Sequence, residues 1–231
     1  MMKSYLIVGG SSGIGLSLSK KLADQGHTVY VASRTKEELS DISNVYHIEL
    51  DVTSDFQISG LPGELNGMAY CPGTINLKPF HRLKQDDFQK DFEINVLGAV
   101  KLTQQVLEEL KAGNGSLVFF STVAAQVGMS FHASVAVAKS GVEGLAKTIA
   151  AEYAPTIRAN VISPSLTETP MAEKMLNTEK KKEASQERHP LKRIGQPEEQ
   201  AAMAAFLLSD DAKWISGQVI GVDGGMANLR T

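Results

Sequence analysis

One cysteine, Cys71, in 231 residues excludes an internal disulfide and any metal cluster built on cysteine ligands. Charge of neither sign accumulates. Lys and Arg number 23 against 26 Asp and Glu, dispersed along the chain, for a net charge of −3. No basic field is present to hold nucleic acid or an anionic lipid surface. Long hydrophobic runs are missing as well: the apolar stretch from Tyr5 to Val8 stops at glycines, too short for a signal-peptide core or a membrane span. A cytoplasmic chain with no nucleic-acid and no membrane partner is expected. His27, His47, His81 and His189 are scattered without metal-ligand spacing, so surface or packing roles and no metal are expected. Internal repeats, low-complexity tracts and linkers are lacking too, and residues 1–231 read as one domain.

What is present is an alternation. Short β-branched or aromatic runs at 4–9, 28–33, 45–51, 67–71, 116–121, 158–163 and 218–222 read as strands. Most are continuously apolar, as strands covered on both faces are. Helical periodicity fills 16–25, 36–39, 85–111, 134–153 and 197–208. Strands alternating with helices predict right-handed crossovers and a Rossmann-type α/β fold, a doubly wound parallel sheet of about seven strands with helices on both faces. Only residues 52–66 join the third and fourth strands, close to the minimum for a parallel crossover, so a vestigial helix is expected there. Residues 166–196 follow the sixth strand and are charged around Glu179 to Glu183. A lid over a substrate is the expectation, with a solvated helical excursion as its alternative. Trp214 is expected to anchor packing, and Met171 and Met175 to line an apolar pocket or pack the lid.

The stretch LIVGGSSGIG carries Gly9, Gly13 and Gly15 directly after a strand and before a helix. The first glycine permits a tight turn; the later ones admit a pyrophosphate and close helix–strand packing. Backbone N–H groups of Gly9, Ser11, Ser12, Gly13, Ile14 and Gly15, with the positive helix end behind them, form a phosphate cradle. In this strand–turn–helix context the motif points to a dinucleotide. The end of the second strand selects which one. An acid there would accept from the ribose hydroxyls of NAD, but the chain has Ser33 and Arg34, and its first acid is Glu37 in the next helix. A guanidinium suits a 2′-phosphate, so NADP(H) is the expected cofactor; the alternative for Arg34 is a surface charge.

With these residues the whole chain resembles the short-chain dehydrogenase/reductases, most closely their 3-oxoacyl-carrier-protein-reductase-like subgroup. The family's TGxxxGxG is VGGSSGIG here, with Val8 for threonine. LDVT matches the adenine-contacting segment with Asp51 and Val52, EINVLGAV supplies Asn95, and SPSLTETPM places Thr169 at the carboxamide-binding position. Gly73, Pro164 and Thr167 lie in the matching cofactor-binding segments, while Ser165 stands at a usual glycine. PLKRIGQPEEQA and SGQVIGVDGG match the C-terminal blocks. The resemblance implies a small-molecule or acyl substrate. It also implies a homodimer or homotetramer paired through 85–111, 134–153 and the last strand. Small residues Ala133, Ala136, Ala138, Gly141, Gly144 and Ala146 suit such pairing, and equally suit packing on the sheet.

The resemblance breaks at the proton-transfer machinery. Lys139 matches the lysine of the family's YxxxK, which holds the nicotinamide ribose, but the tyrosine position is Val135. The serine position, thirteen residues before the tyrosine, is Thr122, and the family's NNAG is YCPG from Tyr70 to Gly73. Carbonyl reduction needs a proton on oxygen, and losing a positioned general acid costs about 10²–10⁴ in rate. His132 lies seven residues before Lys139, the tyrosine spacing of the related enoyl-carrier-protein reductases. His132, Tyr70 and Ser134 are candidate substitutes. Two readings follow: an NADPH-dependent reductase of a carbonyl or enone with a divergent site using Lys139, Thr122, Asn95 and His132, or a catalytically silent NADP(H)-binding sensor or scaffold.

Overall fold

A computed structural model of the chain describes residues 2–230, the side chain of Glu37 excepted. In chain order the elements are β1 (Ser4–Val8), α1 (Gly13–Asp24), β2 (Thr28–Ser33), β3 (Val45–Glu49) and β4 (Gly67–Tyr70). They continue with α2 (Gln85–Phe92), α3 (Gly98–Gln105), α4 (Leu107–Ala112), β5 (Ser116–Phe120) and α5 (Ala133–Tyr153). Then come β6 (Arg158–Pro164), α6 (Glu173–Leu176), α7 (Glu179–Glu187), α8 (Pro197–Leu208) and β7 (Val219–Val222). The strands form one parallel sheet ordered β3-β2-β1-β4-β5-β6-β7. This is the Rossmann-type fold expected.

Period-2 alternation explains why both faces are apolar. Leu6, Val8, Leu117, Phe119 and Val161 point to the layer of α3 and α5, against Leu102, Ala138, Val142 and Ala146. Tyr5, Ile7, Val29, Val31, Val118 and Ile162 point the other way, to Leu18 and Leu22 of α1 and Ala204 and Leu208 of α8. β4 and β5 are buried throughout, as their unbroken apolar sequences require. The strand order reverses between β1 and β4, so the loops after them splay apart and open a cleft at their carboxyl ends.

Several local expectations are corrected. Residues 85–111 are not one helix. A π-helical turn, Glu93–Leu97, separates α2 from α3, and Val106, with ψ near 15°, separates α3 from α4. The π turn carries a cause: Tyr70 Oη donates to the carbonyl of Ile94 inside it at 2.5 Å. That hydroxyl sits where a β-carbon on residue 98 would overlap it, which requires Gly98. An inserted side-chain group of this kind disturbs the helical ladder. Residues 36–39 shrink to one 3₁₀ turn, Glu37–Leu39. Residues 52–66 hold no helix, and Gln105 clamps them instead, donating to Phe56 O and accepting from Ile58 N. Trp214 is no packing anchor: it stands fully in solvent after the 3₁₀ turn Asp210–Ala212. Among the described residues no helix is long and apolar enough to cross a membrane.

Candidate active site

The cleft encloses about 880 Å³. Its floor at one end is the glycine turn. Gly9 and Gly13 have φ of 70° and 51°, the left-handed region that side chains avoid. Gly15 answers a different need, since a β-carbon there would overlap the carbonyl of Gly9. The turn therefore folds tightly onto the start of α1, and Ser11, Ser12 and Ile14 line the cleft with the glycines. A phosphate-bearing group fits: the cradle is backbone, and the N-terminus of a twelve-residue helix stands behind it.

Past the turn, Ser33, Arg34, Asp51 and Val52 line the same cleft. Arg34 is exposed and makes no hydrogen bond or ion pair among the described residues. Ser33 is held in place, with Oγ donating to Thr35 O at 2.7 Å and His47 Nε2 reaching its O and Oγ at 3.0 and 3.1 Å. His47, expected in a surface or packing role, thus buttresses the cleft's rim. Thr53 donates its amide and hydroxyl to Asp51 Oδ1, at 2.9 and 2.7 Å. Those bonds hold the carboxyl below its usual range, with Arg34 adding to them.

At the other end Lys139 reaches in from α5, only 7% exposed. Its Nζ donates to Phe120 O at 2.7 Å, and burial brings its pKa down to about 8. Val135, one turn earlier, lines the cleft with an apolar surface where the family's tyrosine was expected. Thr122 lines it too, its Oγ1 accepting from Ala124 N at 3.3 Å. Asn95 is fully buried and does not line the cleft; it stands behind Thr74 and donates to Thr74 Oγ1 at 3.0 Å and Asp91 O at 2.7 Å.

The substitute donors separate. Tyr70 is ruled out: it lies outside the cleft lining, bonded to Ile94 O, with burial pushing its pKa upward. Ser134 is 1% exposed, also outside the lining, its Oγ met by Asn76 Nδ2 at 3.4 Å. His132 does line the cleft. Its Nδ1 donates to Ser130 O at 2.7 Å, so in the neutral ring Nε2 is bare and only the imidazolium could donate from it.

Pro164, Thr167 and Thr169 close the cleft from β6 onward, and Gly73 from β4. Residues 166–196 fold as the turn Pro170–Ala172, α6 and α7, bringing Met171 and Met175 to the lining. His189, expected to pack or lie at the surface, is 2% exposed, and its ring lines the cleft. Nδ1 donates to Ser185 O at 2.7 Å, and Nε2 meets Ser165 Oγ at 2.9 Å, tying this segment to the end of β6. Thr74 and Asp91 went unrecognised in the sequence. The available signal was spacing: Asp91 precedes Asn95 by four residues, one helical turn.

A family model described as enoyl-(acyl carrier protein) reductase matches residues 8–227. The 3-oxoacyl-[acyl-carrier-protein] reductase of Thermotoga maritima is 34% identical over 241 residues, 97% of each chain. The aldohexose dehydrogenase of Thermoplasma acidophilum superposes with a TM-score of 0.86 at 26% identity, covering 100% of this chain and 97% of that one. A variant of actinorhodin polyketide ketoreductase solved with NADPH has a TM-score of 0.88 at 25% identity, covering 99% and 98%. The chain belongs to the short-chain dehydrogenase/reductase family of oxidoreductases.

Proposed function

We propose that this chain is an NADPH-dependent reductase of a carbonyl or enone on a small or acyl substrate, working with a divergent set of catalytic residues. One juxtaposition carries the reading: the glycine cradle, the exposed Arg34 and the buried Lys139 all face one cleft. Bound NADPH would supply hydride to the substrate carbon. The chain's own residues do the rest. Arg34 holds the 2′-phosphate, which a carboxylate at the end of β2 would repel. The turn 9–15 takes the pyrophosphate, Asp51 and Val52 the adenine, and Thr169 with Pro164, Thr167 and Gly73 the nicotinamide end. Lys139 grips the ribose, and Thr122 donates to the substrate oxygen. The apolar side of the cleft, with Ile75, Leu77, Met129, Met171, Met175 and Met226, excludes water and suits an acyl or other apolar chain. Residues 166–196 act as the lid over it.

Val135 favours a second reading, a silent NADP(H)-binding sensor or scaffold, because an apolar side chain replaces the expected acid. NADPH consumption against a broad carbonyl and enone panel separates the two. Turnover supports the reductase; tight NADPH binding with no turnover supports the silent binder. The same family reading extends to assembly as a homodimer or homotetramer through α2–α5 and β7. Phe92 and Val137, 43% and 61% exposed on those helices, support it. Ala138 and Ala146 do not contribute, being buried in the core beneath α5.

A further inference from the structure

The reaction as described leaves one buried carboxylate idle. Asp91, on α2, is 1% exposed. Thr74 Oγ1 donates to its Oδ1 at 2.7 Å, while Oδ2 is buried without a partner among the described residues. Asn95, one turn on, spends its amide protons on Asp91 O and Thr74 Oγ1. Its Oδ1 is likewise buried and unmet. A β-carbon on Gly73 would stand 3.2 Å from Lys139 Nζ and 3.4 Å from Asn95 Oδ1. Glycine therefore keeps clear a space bordered by an ammonium and an amide oxygen. Lys139 Nζ makes one hydrogen bond, to Phe120 O, of the three it can donate. Asn95 Oδ1 thus adjoins a donor with protons to spare, and the Asp91 carboxyl stands behind it, joined through Thr74.

We infer that Asp91 is the buried counter-charge of Lys139, a positioning residue that keeps the ammonium charged so that Lys139 itself hands over the proton. This rests on the reductase reading above. As the carbonyl carbon receives hydride, the π electron pair of C=O moves onto oxygen. The Lys139 N–H bond breaks as the O–H bond forms, leaving the alcohol, the oxidised nicotinamide and a neutral amine. The amine recovers its proton from water entering the cleft, which Thr74 also lines.

The charge balance around Lys139 supports the inference. Burial lowers its pKa, and Cys71 at the end of β4 and Asp91 on α2 oppose the fall. Burial pushes the Cys71 thiol up to about 12, so it is neutral while Lys139 titrates, which leaves the Asp91 carboxyl as the opposing group. Glu143, one turn along α5, is engaged by Ser121 Oγ at 2.6 Å. With its pKa at about 8, Lys139 is well matched to give a proton near neutral pH.

The test is an NMR titration of the Lys139 side chain in the full chain labelled on lysine, with Lys139→Met assigning the signal. Asp91→Asn should lower the midpoint by about one unit or more, the effect of losing a nearby opposite charge. Asp91→Glu should restore most of it. Melting temperature and NADPH affinity of Asp91→Asn should stay near those of the unmodified chain. If the Asn variant does not fold, Asp91→Ser, which keeps a partner for Thr74, is read in the same way. On a substrate from the panel, the alkaline limb of kcat should move down with the midpoint. A folded variant whose Lys139 midpoint does not move overturns the inference. So does a moved midpoint with an unmoved alkaline limb, which would exclude Lys139 as the donor. A lowered midpoint in a chain that turns over no substrate upholds the charge pairing and overturns the reductase reading instead.

Discussion

Restoring a hydroxyl at position 135 tests the site most directly. Val135→Tyr adds a ring where a side chain 5% exposed now faces the cleft, one helical turn before Lys139. Overpacking a buried position costs about 1–3 kcal/mol. Here the cost should fall at the low end, because the ring can extend into a cleft of about 880 Å³. A fully missing general acid would be worth about 10²–10⁴ in rate, or roughly 3–5 kcal/mol. Lys139, with a pKa of about 8, is mostly protonated at pH 7 and, as the proposed donor, would already supply part of that. The expected gain is therefore about ten-fold on simple ketones, from the low end of general-acid effects. Lys139 also acts on the new phenol, since a nearby cation lowers a tyrosine pKa. The assay follows NADPH absorbance, with melting temperature and NADPH affinity as controls. A folded, NADPH-binding variant with no gain would mean that the cleft has lost more than its hydroxyl.

Other outcomes follow from the same geometry. Arg34→Asp should weaken NADPH at least about ten-fold and leave NADH nearly unchanged, because a carboxylate then faces the 2′-phosphate; equal affinities of the unmodified chain for NADPH and NADH, by fluorescence titration, would remove that site. His132→Phe should keep turnover within a few-fold, and turnover of the unmodified chain should decline as pH rises through about 8, where Lys139 loses its proton; abolished turnover at unchanged NADPH affinity would return the donor role to His132. Light scattering should give a multiple of the 24.8 kDa chain mass, and a monomer at micromolar concentration would refute assembly through α2–α5.

All seven strands were legible in the sequence, because a two-sided sheet leaves runs such as LIV and SLVFF that no surface helix would carry. The glycine turn was legible too, since Gly9, Gly13 and Gly15 are each demanded by backbone sterics that few other folds impose. Long-range side-chain contacts were not. The helix over 85–111 has unbroken periodicity, and the first of its two interruptions, the π turn, is met by Tyr70, a residue on a strand well before it. His189 reads as an unremarkable polar residue until the fold sets it against Ser165 and Ser185. Asp91 looks like one more surface acid in QDDFQKDF, and only the packing of α2 against α5 turns it inward.

Two of the departures from the family pattern come with partners. Tyr70, in place of the family's asparagine, has its hydroxyl met by Ile94 and its room made by Gly98, and the π turn it joins carries Asn95. Ser165, at a usual glycine, is met by His189, whose other nitrogen is fixed by Ser185. Buried polar groups left without partners cost about 1–3 kcal/mol each, so unmatched replacements of this kind would weaken the fold. Val135 brings no polar group of its own to α5. The unmet groups nearby are Asn95 Oδ1, across Gly73 from Lys139, and Asp91 Oδ2 behind it. A site that had only lost its tyrosine would have no use for a second buried charge behind the lysine. A site that moves its proton through the lysine does, because burial lowers an ammonium's pKa and a nearby carboxylate opposes that fall.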